Sequence, residues 1–235
     1  AIFLRRDDAA HAVPEFPFVA LLVSGGHTAI YRVDAPTAAD VRELGATRDD
    51  AAGEAFDKVA KLLGLGYPGG PVVDARAARG NPAAIALPRP MSRLGSGSLE
   101  MSFSGIKTQV AAIVRDEGTM SDARVNDLCA SFQATVTSVL ADKLLAAAAR
   151  EGVRDVVLGG GVAANSELRR RVLEGAARAG LRAHVPPLAS CTDNGAMIAY
   201  AGAVRLARGE RDGWDLAATS ATTLPRATRK GRGAR

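Results

Sequence analysis

The chain has 235 residues, of which 47% are hydrophobic and 23% charged, ordinary values for a soluble globular protein of one large domain or two small ones. No apolar run approaches the roughly 20 residues that cross a bilayer, and the first residues lack the order of charge, apolar stretch and cleavage site of a signal peptide. Cys129 and Cys191 show neither metal-type spacing nor a disulfide framework, so a cytoplasmic protein without a membrane partner is expected. The formal charge of +5 resides in the last ten residues, RATRKGRGAR, which leaves the rest close to neutral. That Gly-rich basic tail reads as disordered, and contact with RNA phosphates and a solubilising role fit it equally well.

In chain order, Phe18-Val19-Ala20-Leu21-Leu22-Val23 is a short apolar run that predicts a strand buried on both faces. It meets Ser24-Gly25-Gly26 and continues into His27-Thr28-Ala29-Ile30-Tyr31-Arg32-Val33, so the two strands read as a hairpin around a tight Gly turn. A third strand is expected over 41–47. From Asp50 the period changes: Ala52, Ala55, Phe56, Val59, Leu62 and Leu63 recur at helical spacing and predict an amphipathic helix ending near Gly64. The breakers Gly66-Tyr67-Pro68-Gly69-Gly70-Pro71 follow, then a short helix over 72–78 and an irregular Gly-, Pro- and Ser-rich excursion at about 80–104. A helix is expected from Ser104-Gly105 to about Arg115. The longest, from Val125 to Arg150, carries Leu128, Phe132, Val136, Val139, Leu140 and Leu144 as one stripe. A strand at 155–158, a Gly159-Gly160-Gly161 turn, a helix at 165–178, a strand at 181–185 and a helix at 193–208 complete the pattern. This alternation of strand and helix indicates α/β architecture.

Five segments carry chemistry. Ser24-Gly25-Gly26-His27-Thr28 combines a Gly turn at a strand end with hydroxyl donors, which suits an anion but also an ordinary hairpin. Gly159-Gly160-Gly161-Val162-Ala163-Ala164-Asn165 joins a buried strand to a helix, where glycines can pack against a planar base and the helix start can face a phosphate. Asn165 either caps that helix or touches a ligand. In Gly53-Glu54-Ala55-Phe56-Asp57-Lys58, the spacings Glu54–Lys58 and Asp57–Lys61 fit exposed i,i+4 ion pairs, and a sugar-hydroxyl role for Asp57 is chemically natural. Cys191-Thr192-Asp193-Asn194-Gly195 places a carboxylate at a helix start, as a cap or a metal ligand. In Ser102-Phe103-Ser104-Gly105-Ile106-Lys107-Thr108 the hydroxyls can cap the next helix, with Lys107 in solvent.

The blocks LLVSGGHT, DDAAGEAFDKVAKLLGLGYPGGP, SFSGIKT, GGGVAANSELR and PPLASCTDNGAMIAYAG, in this order, resemble the tRNA threonylcarbamoyl-adenosine transferase family, called TsaD in bacteria, over roughly residues 14–210. The resemblance implies an actin/Hsp70/sugar-kinase-like ATPase fold of ribonuclease H-like type, mainly its C-terminal lobe. It further implies transfer of threonylcarbamoyl from threonylcarbamoyl-AMP to N6 of adenosine 37 in tRNAs that read codons beginning with A. By the same resemblance Leu22, Val23, Ser24, Gly25, Gly26, Asp57, Gly70 and Asn165 would contact the adenylate. Asp193 would bind one divalent metal, Fe2+ in preference to Zn2+. Partners implied are tRNA, a TsaB-like paralogue and a TsaE-like ATPase; no residue is assigned to the chemical step.

The family's His-x-x-x-His metal motif has no counterpart among His11, His27 and His184, and the chain does not begin with Met. Residues 1–16 are therefore read as a connecting segment with a truncated start, 17–210 as the C-terminal lobe and 211–235 as the basic tail. The chain alone would hold part of the nucleotide site and one of three protein metal ligands. Two other readings share these residues: a kinase of the same fold, and a shortened, non-catalytic paralogue that scaffolds partner proteins.

Overall fold

The structure, a computed structural model, describes residues 2–4, 12–89 and 97–217. Five strands form one sheet: β1 (Phe18–Val23), β2 (Thr28–Val33), β3 (Val41–Ala46), β4 (Asp155–Gly159) and β5 (Arg182–His184), ordered β3-β2-β1-β4-β5. The first three pair antiparallel as a meander, whereas β4 and β5 add in parallel beside β1. The meander follows from short turns, and the parallel half from long helical crossovers. This mixed sheet carries the ATPase-like fold that the resemblance implied. The expected two-sided burial of β1 is corrected: Val19, Leu21 and Val23 are fully buried, but Leu22 on the other face is 38% exposed.

Among the described residues the α-helices are α1 (Ala52–Leu62), α2 (Gly69–Ala77), α3 (Ser104–Glu117), α4 (Asp122–Glu151), α5 (Ser166–Arg178) and α6 (Gly195–Ala207). The central one, α4, begins where the Ser121 hydroxyl accepts a hydrogen bond from Arg124 N and stops at Gly152, whose φ of 65° suits a C-terminal glycine. All six residues of its expected stripe are buried, and the helix lies across β1, β2 and β4 and against α2 and α5. Phe132 meets Phe56 of α1 edge-on, with ring centroids 5.0 Å apart. By contrast α6, as apolar as its sequence reads, buries none of its residues; Ile198 is 73% exposed and Tyr200 stacks on Phe3.

Two local expectations change. Helix α2 starts at Gly69, three residues earlier than expected, because Pro68 and Pro71 fall at its cap and first turn, where a missing N–H is harmless. The Ser102 and Ser104 hydroxyls do not cap α3 themselves. They donate to Asp49 Oδ2 at 2.5 and 2.7 Å, and Asp49 Oδ1 accepts from Phe103 N at 2.8 Å and Ser104 N at 3.3 Å. Burial alone would raise the Asp49 pKa, yet these donors outweigh it and hold the carboxyl below its ordinary value. Asp49→Asn presents an amide N–H₂ to donors and is expected to destabilise the fold by about 2 kcal/mol, read from urea unfolding. Because the folded value is the depressed one, this stabilisation is complete above the unfolded pKa of about 3.9 and is lost as pH falls through the folded value. The Asn variant should show a flatter acid limb. The expected basic tail lies outside the described residues, apart from 211–217.

Candidate functional site

The parallel strands β1 and β4 end side by side, with Leu22 opposite Gly159, and their two Gly turns form the floor of a cavity of about 620 Å³. A crevice at the carboxyl ends of parallel strands is the usual ligand position in such sheets. In the first turn Ser24 N donates to His27 O at 2.7 Å, and the Ser24 hydroxyl accepts from Gly26 N and His27 N. Gly25 N–H has no partner among the described residues and lies on the cavity wall. Helix α1 starts against this turn: Gly53 N donates to Ser24 O, and a Cβ on Gly53 would stand 2.6 Å from that oxygen. The second turn is equally close-fitting, since a Cβ on Gly160 would stand 2.3 Å from Val23 O at a φ of 89°.

Of the residues expected to contact an adenylate, Gly25, Asp57, Gly70 and Asn165 line this one cavity. Asp57 Oδ1 accepts from Gly69 N at 2.8 Å and so caps α2, whose Pro68 cap offers no side-chain acceptor. This corrects the expected Asp57–Lys61 pair; the Glu54–Lys58 pair does form, at 2.8 Å. Asp57 Oδ2 takes no hydrogen bond among the described residues. Asn165 Oδ1 caps α5 by accepting from Leu168 N, while its Nδ2 donates to Gln133 Oε1. The Leu22 side chain points to solvent, Val23 is buried in the core, and Ser24 and Gly26 shape the turn without lining the cavity.

Sequence reasoning missed a polar network behind the wall. Gln133 Nε2 donates to Asp74 Oδ1, which also accepts from the Ser166 hydroxyl, and Asp74 Oδ2 accepts from Ser166 N. α2, α4 and the start of α5 are thus tied into one frame around Asn165. The signal was an amide at Gln133 inside an apolar helix stripe and an Asp beside Val72-Val73. Arg169 adds a second tie, donating to Ala163 O and Pro186 O, so the Gly turn holds the loop that brings Leu188 to the cavity.

Asp193 is exposed, directly before Asn194, which caps α6, and away from the cavity wall. No group of three His, Cys, Asp or Glu side chains is arranged for a metal among the described residues, so these residues do not make a metal site by themselves. His11 lies outside the described residues, and His27 is exposed on the first turn. His184 is buried at the opposite end of the sheet, between the Asp155 carboxylate and Ala12 O. Burial pushes the Cys129 thiol up to about 11, the condition of a structural rather than a reactive cysteine.

The model of the family described as TsaD, tRNA N6-adenosine threonylcarbamoyltransferase, matches residues 4–200. The chain is 61% identical over 239 residues to the tRNA N6-adenosine threonylcarbamoyltransferase of Sorangium cellulosum (strain So ce56), with 100% of this chain and 67% of the relative covered. The protein of that name from Verminephrobacter eiseniae (strain EF01-2) is 55% identical over 196 residues, covering 83% of this chain and 56% of the relative. Among solved structures, full-length HypF in its phosphate- and nucleotide-bound form matches with a TM-score of 0.59 and 15% identity, covering 83% of this chain and 33% of that one. This last likeness concerns the fold alone. The chain spans 56% and 67% of the lengths of those two curated relatives. With the motifs, the family model and these relatives in agreement, the chain belongs to the tRNA N6-adenosine threonylcarbamoyltransferase family.

Proposed function

We propose that this chain forms the C-terminal lobe of an enzyme that transfers threonylcarbamoyl from threonylcarbamoyl-AMP to N6 of adenosine 37 in tRNAs reading codons that begin with A. The observation that carries this reading is the cavity of about 620 Å³ that gathers Gly25, Asp57, Gly70 and Asn165 from four separate segments. The Gly25 N–H is a donor for adenylate phosphate, and Asp57 Oδ2 is a free acceptor for a ribose hydroxyl. The mixed anhydride is already activated, with AMP as leaving group. The protein's work is therefore to align the adenosine N6 with the carbonyl and to hold the phosphate charge.

Asp193 would supply one protein ligand of a divalent metal, Fe2+ in preference to Zn2+. A TsaB-like paralogue and a TsaE-like ATPase are the proposed protein partners, in the cytoplasm. The test replaces the matching part of the Sorangium cellulosum relative with this chain and measures threonylcarbamoyl-adenosine in tRNA by chromatography. Modified tRNA is expected, with at least a tenfold loss for Asp57→Ala, the value of one charged contact to substrate. Unmodified tRNA together with ATP-dependent phosphorylation of a small hydroxylated acceptor would support a kinase instead. Folding and partner binding without nucleotide affinity would support a scaffold.

A further inference from the structure

Beside the adenylate cavity, two more depressions run along α1, each sharing wall residues with the next. One, of about 500 Å³, shares Asp57 and Tyr67 with the adenylate cavity and adds Glu54, Lys58, Lys61 and Gly66. The next, of about 560 Å³, shares Lys58 and Lys61 and continues across Leu62 to Lys107 and Thr108 of α3. The three make one track. At the junction of its first two parts stands Tyr67, 84% exposed, far more than a ring needed for packing. Of the cations, Lys58 is held by Asp50 and Glu54 at 2.8 Å each. Lys107 lies 3.3 Å from Asp50, and Lys61 has no ion pair among the described residues.

We propose that this track binds a single-stranded RNA segment, with Tyr67 stacking on the base next to the adenylate cavity and Lys61 and Lys107 meeting the backbone phosphates. The inference rests on the reading of the cavity as an adenylate site. An acceptor adenosine must leave its own stack before its N6 can reach the adenylate, and an exposed aromatic ring at the cavity mouth is the usual device for holding such a base. Lysines serve as point charges for phosphates on a strand of variable path. An acidic peptide would satisfy the lysines but would have no use for the ring.

The test measures anisotropy of a short fluorescent oligoadenylate with the full chain between about 50 and 200 mM salt. Tyr67→Phe keeps the ring and should bind like the parent. Tyr67→Leu keeps bulk without a stacking face and should weaken binding about tenfold. Lys61→Gln should reduce the slope of log affinity against log salt by about 0.7, one single-strand phosphate contact. Melting temperatures confirm that these exposed substitutions leave the fold intact. The inference is overturned if oligoadenylate does not bind, or if it binds all variants alike, as it would through residues 226–235. It is also overturned if polyglutamate binds equally well and responds equally to Tyr67→Leu. A parallel AMP titration separates the two readings. AMP binding with an unresponsive oligoadenylate removes the track alone, whereas a responsive oligoadenylate without AMP binding removes the adenylate reading alone.

Discussion

Gly160→Ala is expected to destabilise the protein by more than about 3 kcal/mol and to abolish the nucleotide binding proposed for the cavity. Two penalties act together. The residue sits at a φ of 89°, where a side chain is strained, and its Cβ would stand 2.3 Å from Val23 O and 2.8 Å from Val23 C. These are backbone atoms of the central strand β1, so no side-chain rotation relieves the clash. The strands β1 and β4, paired from Phe18–Asp155 to Leu22–Gly159, must separate at the end that carries both Gly turns. Gly161→Ala is the control for stability alone, because a Cβ there meets nothing within 4 Å although the residue lines the cavity. Urea unfolding of both variants and AMP titration of Gly160→Ala decide the matter; an unchanged midpoint for Gly160→Ala would contradict this account of the turn.

The second large effect is expected in the core. Phe132 is fully buried in α4 and packs edge-on against Phe56, with an interplanar angle of 74°. Truncation to Ala removes the ring and leaves a cavity, at a cost of about 3–5 kcal/mol. Edge-on aromatic pairs contribute about 0.5–1.5 kcal/mol beyond area burial, so a double-mutant cycle with Phe56→Leu and Phe132→Leu should show a coupling energy of that order. Phe56 directly precedes Asp57, and Gln133 directly follows Phe132, so the core pair also registers the cavity wall. Phe132→Leu is therefore expected to weaken nucleotide binding even where the protein remains folded, as calorimetric titration would reveal. Strictly additive stabilities in the cycle would count against a specific Phe56–Phe132 contact.

What the sequence made legible was whatever has a local period. The strand β1, the hairpin and the stripe of α4 all follow from spacing, and the order of the five motif blocks was sufficient to identify the family. The polar ties were not legible, because they join residues far apart in the chain. Asp49 caps a helix that begins 55 residues later, and Asp74 reaches Ser166 across 92 residues. Asp57 was misread because an i,i+4 ion pair is the nearest local partner for it, while the N–H of Gly69 lies in another helix. Likewise the breakers at 66–71 concealed the start of α2, since proline ends a helix interior but suits a first turn. The apolar character of α6 was plain, yet a helical period cannot tell a buried face from an exposed one.

The central claim, that the two Gly turns enclose an adenylate site on this lobe, is tested most directly by an amide NMR titration of the chain with AMP. Shifts concentrated at Gly25, Gly53, Gly70 and Gly161, and lost in Asp57→Ala, are the expected result. Absence of shifts at these four amides, or shifts confined to residues away from the cavity, would contradict it.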